Sequence, residues 1–289
     1  MSDVVAQLLE LLTLKPLDEC LYQGESQDLG FRNVFGGQVV SQALMAAYNT
    51  VAEDRIAHSL HAYFLRPGDP HHPIFYEVTE VRDGRSFSVR RVIARQHNKE
   101  ILAMMASFQT REEGFDHQAD MPSVAGPDGI PSELEMRRKF RDLIPEKIRE
   151  QFTCDRPIEI RPVNPPNYLK PEPMPPFKYN WFRAIRKIPD DVRWHHGILT
   201  YASDFGLLGT SLYPHGVTFM QKDMQVASLD HAVWFHRDFR VDEWLLYSMD
   251  SPSASGGRGF NRGLIFNQQG TLVASTAQEA LIRRRPDRA

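Results

Sequence analysis

The feature that most constrains this chain is an ordered pattern that it spells twice. In the first half, a run of small and apolar residues suited to a helix, Gly36-Gly-Gln-Val-Val-Ser-Gln-Ala-Leu-Met-Ala-Ala-Tyr48, precedes four runs of alternating character at 59–66, 74–82, 87–96 and 101–110. In the second half, a helix-like run at 192–208 precedes alternating runs at 224–236, 243–250, 259–267 and 271–283. Residues match as well as patterns. Ser59-Leu-His-Ala-Tyr-Phe-Leu-Arg66 resembles Ser228-Leu-Asp-His-Ala-Val-Trp-Phe-His-Arg237, so His61-Ala62 falls 170 positions before His231-Ala232. Ala106-Ser-Phe-Gln109 falls 169 positions before Ser275-Thr-Ala-Gln278. Two matches at nearly one offset predict an internal duplication.

A helix followed by an antiparallel meander buries itself on the concave face of its own curved sheet, and two such units can join edge to edge. The fold class expected is therefore α+β, with two helix-wrapped antiparallel sheets joined into one continuous sheet. A length of 289 residues suits two cores better than one. Prolines mark the junction: 12 of the 20 lie between Glu112 and Pro176, a run that reads as an extended strap because proline lacks a backbone donor and disfavours helix before it. One helix is expected inside it, at 132–152, where Ser132-Glu-Leu-Glu135 forms a capping box. The expected domains are residues 1–111, a connector over 112–176, and residues 177–289.

Charge and motifs exclude several function classes. Lys plus Arg number 34 against 37 Asp plus Glu, so a net charge of −3 gives no field to gather nucleic acid or an anionic membrane. Cys20 and Cys154 are the only cysteines, too few and too isolated for a disulfide framework or a zinc finger. The start, Met-Ser-Asp-Val-Val, has no signal-peptide n-region and no window has the length of apolar residues that spans a bilayer, so a cytoplasmic protein is expected. No G-x-S-x-G, P-loop or H-E-x-x-H motif occurs, and Gly257-Arg-Gly259 lacks the third glycine of a dinucleotide fingerprint. His71-His72 and His195-His196 are adjacent pairs that point apart and make poor chelates, so no metal is expected and both pairs are placed on exposed loops or helix ends.

Three polar residues remain as candidates for chemistry. Asp204 lies about 100° of helical rotation from the middle of the apolar stripe Trp194, Ile198, Tyr201, Phe205 and Leu208, which puts a carboxylate at the border of the core. Gln278 shares strand parity with Leu272, Ala274, Ala280 and Ile282, so its amide faces the apolar side and needs hydrogen-bond partners there. Ser228 opens a strand of the same repeat. The first half echoes the serine and the glutamine at Ser59 and Gln109 but has no acid in its helix, which predicts one complete site and one vestigial copy. His58 and His61 are weaker candidates for a base, and Arg283-Arg-Arg285 reads as a solvated basic terminus rather than an anion site.

Seven blocks in order resemble the type II acyl-CoA thioesterases. They are Val34-Phe-Gly-Gly-Gln-Val-Val-Ser-Gln-Ala43, His61-Ala-Tyr-Phe-Leu-Arg-Pro-Gly-Asp69, Arg82-Asp-Gly-Arg-Ser-Phe87, Tyr201-Ala-Ser-Asp204, Asp230-His-Ala-Val-Trp-Phe-His-Arg237, Glu243-Trp-Leu-Leu-Tyr247 and Ala274-Ser-Thr-Ala-Gln278. The resemblance implies a double hotdog fold and hydrolysis of fatty acyl-CoA to free acid and CoA without a cofactor. It further implies that Asp204, Ser228 and Gln278 hold the attacking water, and that the chain forms a homodimer or homotetramer. Two other readings fit the scaffold: hydration of an enoyl-CoA, disfavoured by the lack of an Asp and His pair on one central helix, and a non-catalytic acyl-CoA carrier.

Overall fold

The computed structural model describes residues 3–168 and 170–285. The first half contains α1 (Val4–Leu12), β1 (Lys15–Asp18), β2 (Leu21–Gly24), α2 (Gly36–Tyr48) and the meander β3 (Ile56–Phe64), β4 (Ile74–Asp83), β5 (Phe87–Gln96) and β6 (Lys99–Gln109). Then follow α3 (Glu133–Lys139), α4 (Glu146–Thr153) and β7 (Ile158–Pro162). The second half contains β8 (Phe177–Ala184), α5 (Val192–Ser203), a 3-10 helix at Leu208–His215, β9 (Met224–Ser228), β10 (Asp230–Phe235), β11 (Leu245–Ser255), β12 (Arg258–Asn267) and β13 (Leu272–Arg284). The strands form one 13-stranded sheet in the order β1-β2-β4-β5-β6-β3-β10-β13-β12-β11-β8-β7, with β9 beside β13. The order is a palindrome of the two halves, which is the expected double hotdog: two helix-wrapped antiparallel sheets made continuous at the β3–β10 seam.

Pairing registers correct the residue-level match. β5 and β12 have equal length and start at residues 87 and 258, a shift of 171. At the seam His61 pairs with Ala232, again a shift of 171, so these two residues lie on the pseudo-two-fold axis. The structural counterpart of His231 is then Leu60, not His61. The irregularity between Ala57 and Ser59 where β3 meets β6 matches the break at Leu229 between β9 and β10, which makes Ala57 the counterpart of Ser228. Ala57 pairs with Phe108 as Ser228 pairs with Ala280, so Ala106 is the counterpart of Gln278. A slip of one or two residues passes unnoticed between two alternating strands, yet one residue turns a side chain to the other face. His61 is exposed and Gln109 half-buried, whereas His231 and Gln278 are fully buried. The first half is therefore not a vestigial polar copy; where the second half places Ser228, His231 and Gln278, it places two alanines and a leucine.

The two central helices are buried on nearly every side, which is why their sequences lack a clean polar face. They run antiparallel at van der Waals contact. Ser41 Oγ donates to the Gly197 carbonyl at 2.7 Å, and a Cβ on Gly37 would lie 2.5 Å from the Tyr201 carbonyl oxygen. The buried amides of α2 are satisfied: Gln42 Nε2 donates to the Leu11 and Glu25 carbonyls, and Tyr76 OH donates to Gln42 Oε1. His195 and His196 are not at an exposed end; each is 3% exposed. His196 stacks on Phe235 with centroids 4.0 Å apart and its Nδ1 meets Tyr48 OH at 2.8 Å, while burial pushes its pKa down to about 3 and keeps it neutral.

Four segments depart from the expected elements. The helix expected at 132–152 is two short helices with a 3-10 turn at Arg141–Leu143 between them, and Pro145, which cannot continue a helix, caps α4 instead; the capping box at Ser132 forms as read. The run expected at 224–236 breaks at Leu229 into β9 and β10. α5 stops at Ser203, and Gly206 follows with φ +77. The proline-rich segment contributes β7, paired with β8 at the sheet edge, where the terminal Pro162 forfeits no essential ladder bond.

Candidate active site

Asp204 is the C-cap of α5, half-buried, with φ −82 and ψ −15. A carboxylate at a helix C-terminus meets the negative end of that helix dipole, an unfavourable position unless something opposes it. The antiparallel partner does so. The positive N-terminus of α2 faces Asp204, and Gly37 N–H donates to Oδ2 at 2.8 Å. The approach requires glycine: a Cβ on Gly36 would lie 2.9 Å from the same Oδ2. The carboxylate comes from one half of the chain and its helix N-terminus from the other, so the site spans the pseudo-two-fold.

Gln278 Nε2 donates to Asp204 Oδ1 at 2.6 Å. Gln278 is 0% exposed, as its parity predicts, and its second partner is His231, whose Nδ1 lies 3.2 Å from Nε2. The orientation follows from a chain of bonds. Ser203 Oγ donates to the Thr200 carbonyl at 2.9 Å, so it must accept from His231 Nε2 at 2.8 Å. His231 thus carries its proton on Nε2 and offers Nδ1 as an acceptor, a neutral state that burial favours by lowering its pKa. Both amide hydrogens of Gln278 are then committed, one to Asp204 and one to His231. Its Oε1 is buried and has no protein partner among the described residues. Tyr247 OH donates to the Ser203 carbonyl at 2.9 Å and fixes the last turn of α5 from a third side.

Ser228 pairs with Ala280, two residues along β13 from Gln278 and on the same face. Residues 228 and 231 would point to opposite faces of a regular strand. The break at Leu229 shifts the register by one, so Ser228, His231 and Gln278 converge on one side of the sheet. Asp204 and Ser228 line one cleft of about 340 Å³, together with Gly36, Val34, Tyr213 and Lys178. This volume suits a small-molecule site. Lys178 is 5% exposed, its Nζ meets the Gly206 carbonyl at 3.4 Å, and burial lowers its pKa.

All three candidates therefore lie together, and the weaker ones do not. His58 Nε2 meets Ser107 Oγ at 2.8 Å away from the cleft, and His61 packs edge-on against Trp234. The basic terminus is tied down rather than free: Arg284 pairs with Asp223 and Arg285 donates to Gln225 Oε1. Sequence reading missed His231 and Gly37 as members of the site. The double glycine opening α2 is a usable signal for close approach, whereas His231 joins the site only through the break at Leu229.

The pattern of the family described as Acyl-CoA thioesterase matches residues 147–281, and that of the Acyl-CoA thioesterase N-terminal domain matches residues 25–109. Acyl-CoA thioesterase 2 of Haemophilus influenzae is 46% identical over 98% of this chain and 99% of its own length. Acyl-coenzyme A thioesterase 8 of Homo sapiens is 41% identical over 96% of this chain and 88% of its own. Among solved structures, the acyl-CoA thioesterase II of Mycobacterium marinum superposes with a TM-score of 0.78 at 41% identity, over 96% of this chain and 98% of that one. A protein from Alicyclobacillus acidocaldarius described by its hot dog fold gives a TM-score of 0.76 at 20% identity over 95% of this chain and 97% of that one, a likeness of fold alone. Among the described residues, no helix is long and apolar enough to cross a membrane. With family patterns matching in both halves and relatives above 40% identity along almost its whole length, this chain belongs to the acyl-CoA thioesterase family and is an acyl-CoA thioester hydrolase.

Proposed function

We propose that this protein hydrolyses fatty acyl-CoA by direct attack of a water that Asp204 deprotonates, with no covalent intermediate and no cofactor. The observation that carries this reading is the Asp204 carboxylate held by Gly37 N–H and Gln278 Nε2 at the wall of a cleft, beside a Gln278 Oε1 that has no partner among the described residues. A thioester carbonyl is weakly resonance-stabilised and a thiolate leaves readily, so an oriented water suffices. Gln278 Oε1 and the Ser228 hydroxyl aim the water and Asp204 takes its proton. The water oxygen bonds to the carbonyl carbon, the C–S bond breaks, and the CoA thiolate departs to be protonated. In the first turn of α2, Gly37 N–H is taken by Asp204 and the N–H groups of Gln38 and Val39 by the Phe35 carbonyl, so the donor left to stabilise the oxyanion there is Gly36 N–H.

A single turnover of acyl-CoA in ¹⁸O-water tests the route. Direct attack puts the label into the released acid and leaves Asp204 unlabelled; label found in the Asp204 peptide would establish an anhydride intermediate and sink the proposal.

In this reading His231 is a positioning residue, because it touches Gln278 and not the water. Replacement by leucine, the residue at its counterpart Leu60, fills a similar volume but removes the acceptor that fixes the Gln278 amide. His231→Leu is expected to lower kcat about tenfold, the worth of one net hydrogen bond, with KM within a few-fold and a melting temperature lower by about 4 to 8 °C, since its bonds to both Gln278 and Ser203 are lost. A loss of melting temperature with kcat preserved would mean that His231 serves only the fold.

A further inference from the structure

In two neighbouring loops of the first half, three ligating side chains meet that no element of the thioester chemistry uses. Asp69 and His72 lie in the loop between β3 and β4, and His97 lies in the turn between β5 and β6. His72 Nδ1 is 2.8 Å from Asp69 Oδ2, His97 Nε2 is 3.6 Å from the same oxygen, and all three atoms lie within 4.8 Å of one another. We propose that Asp69, His72 and His97 form a binding site for a divalent transition cation, Zn²⁺ above all.

Donor spacing supports this. With metal–ligand bonds of about 2.0 to 2.2 Å and angles between octahedral and tetrahedral, donor atoms around one ion lie about 2.9 to 3.5 Å apart. Two of the three atom pairs already lie at or near that range, and the side chains are exposed enough to close the remainder by small rotations. The adjacent pair His71-His72 is a poor chelate, as its sequence spacing implies. It is the fold that gives His72 a second imidazole, at 4.5 Å between ring centroids, from a residue 25 positions away. Two imidazoles and one carboxylate select Zn²⁺ and its transition-metal neighbours over Mg²⁺ and Ca²⁺, which require oxygen shells.

The second independent observation is that the backbones carrying these ligands are locked together. Gln96, 3% exposed, sits next to His97. Its Nε2 donates to the carbonyls of Asp69 at 2.9 Å and His72 at 2.8 Å, and its Oε1 accepts from Asp69 N–H at 2.7 Å. His71 N–H occupies Asp69 Oδ1 at 2.9 Å and so turns Oδ2 toward the two rings. His97 and Asn98 have φ +48 and +60, the geometry of a tight hairpin turn that fixes where the His97 imidazole starts. Buried support of this kind separates an organised site from histidines that happen to be near an acid. A bound ion would pin this loop, whose Gly68 carbonyl accepts from Val34 N–H at 2.9 Å, to the segment that leads into Gly36 and Gly37.

The test uses the untagged full-length protein, titrated with ZnCl₂ by calorimetry and melted with and without ZnCl₂ or MgCl₂. The expected result is saturable binding of about one Zn²⁺ per chain, a rise in melting temperature with Zn²⁺ and none with Mg²⁺. His97→Asn keeps a residue that tolerates positive φ, and His72→Gln keeps an exposed polar side chain. Each is expected to weaken binding by about tenfold or more while leaving Zn²⁺-free thiol release unchanged. Absence of saturable binding, or binding that survives either substitution, would overturn the site, and neither outcome bears on the role of Asp204.

Discussion

Asp204→Asn is expected to lower kcat by about 10³-fold while the protein stays folded and KM for acyl-CoA changes by only a few-fold. General-base catalysis is worth about 10² to 10⁴ in rate, and of the two carboxylates that line the cleft among the described residues, Asp204 and Glu172, it is Asp204 that Gln278 holds. Asparagine matches the shape of aspartate but offers one acceptor where two donors, Gly37 N–H and Gln278 Nε2–H, now converge. The conflict is relieved if Gln278 flips and accepts from the new amide, which costs its bond to His231 Nδ1, a net loss of about 1 kcal/mol. For a chain of this size that lowers the melting temperature by about 2 to 4 °C, far too little to explain a thousandfold loss of activity. Thiol release from acyl-CoA over a range of chain lengths, measured beside a thermal melt, separates the two effects. A variant that keeps more than about a tenth of wild-type kcat would remove Asp204 from the role of base.

What the sequence made legible follows from which periodicities are robust. Strand alternation is a strong signal, and β5 falls at the residues it predicts, 87–96, with Ser88, Arg90, Val92, Ala94 and Gln96 alternating onto the buried face. Gln278 was legible for the same reason: parity alone assigned it to the buried face, where it is 0% exposed. Asp204 was legible only as a residue at the edge of an apolar stripe. Its position as a cap depends on Gly206 adopting φ +77, and its partner Gly37 comes from 167 residues away. The duplication was legible at the level of elements and illegible at the level of single residues, because His61 and His231 look alike in sequence while facing opposite sides of the sheet. Registers are set by hydrogen-bond pairing and by irregularities such as the one at Leu229, and composition does not record either. The strand β7 was hidden by Pro157 and Pro162, whose effect on a strand depends on whether it lies at an edge, a tertiary fact.

Gly37→Ala is expected to lower the melting temperature by about 6 °C or more and to reduce thiol release with it, although alanine is the better helix former. The sign is a contest between two magnitudes. Helix propensity favours alanine by up to about 1 kcal/mol. Against it, the new methyl would lie 2.5 Å from the Tyr201 carbonyl oxygen and 2.6 Å from the Phe35 ring. The ring could turn, but the carbonyl belongs to the backbone of α5, a helix buried against the sheet along its length. Relief therefore requires the two central helices to separate by several tenths of an ångström, and overpacking of this kind costs about 1 to 3 kcal/mol before lost hydrogen bonds are counted. Two of the bonds that join these helices lie closest to the clash, Ser41 Oγ to the Gly197 carbonyl and Gly37 N–H to Asp204 Oδ2. Each is worth about 1 kcal/mol, so destabilisation exceeds the propensity gain by about 2 kcal/mol or more. Gly126→Ala is the control, since a Cβ there meets nothing within 4 Å and the substitution, away from the cleft, should leave both readouts near wild type. A Gly37→Ala protein that melts at or above the wild-type temperature would show that the helices yield without cost. The glycine that lets the two halves of the duplication touch would then have no part in holding Asp204 against the N-terminus of α2.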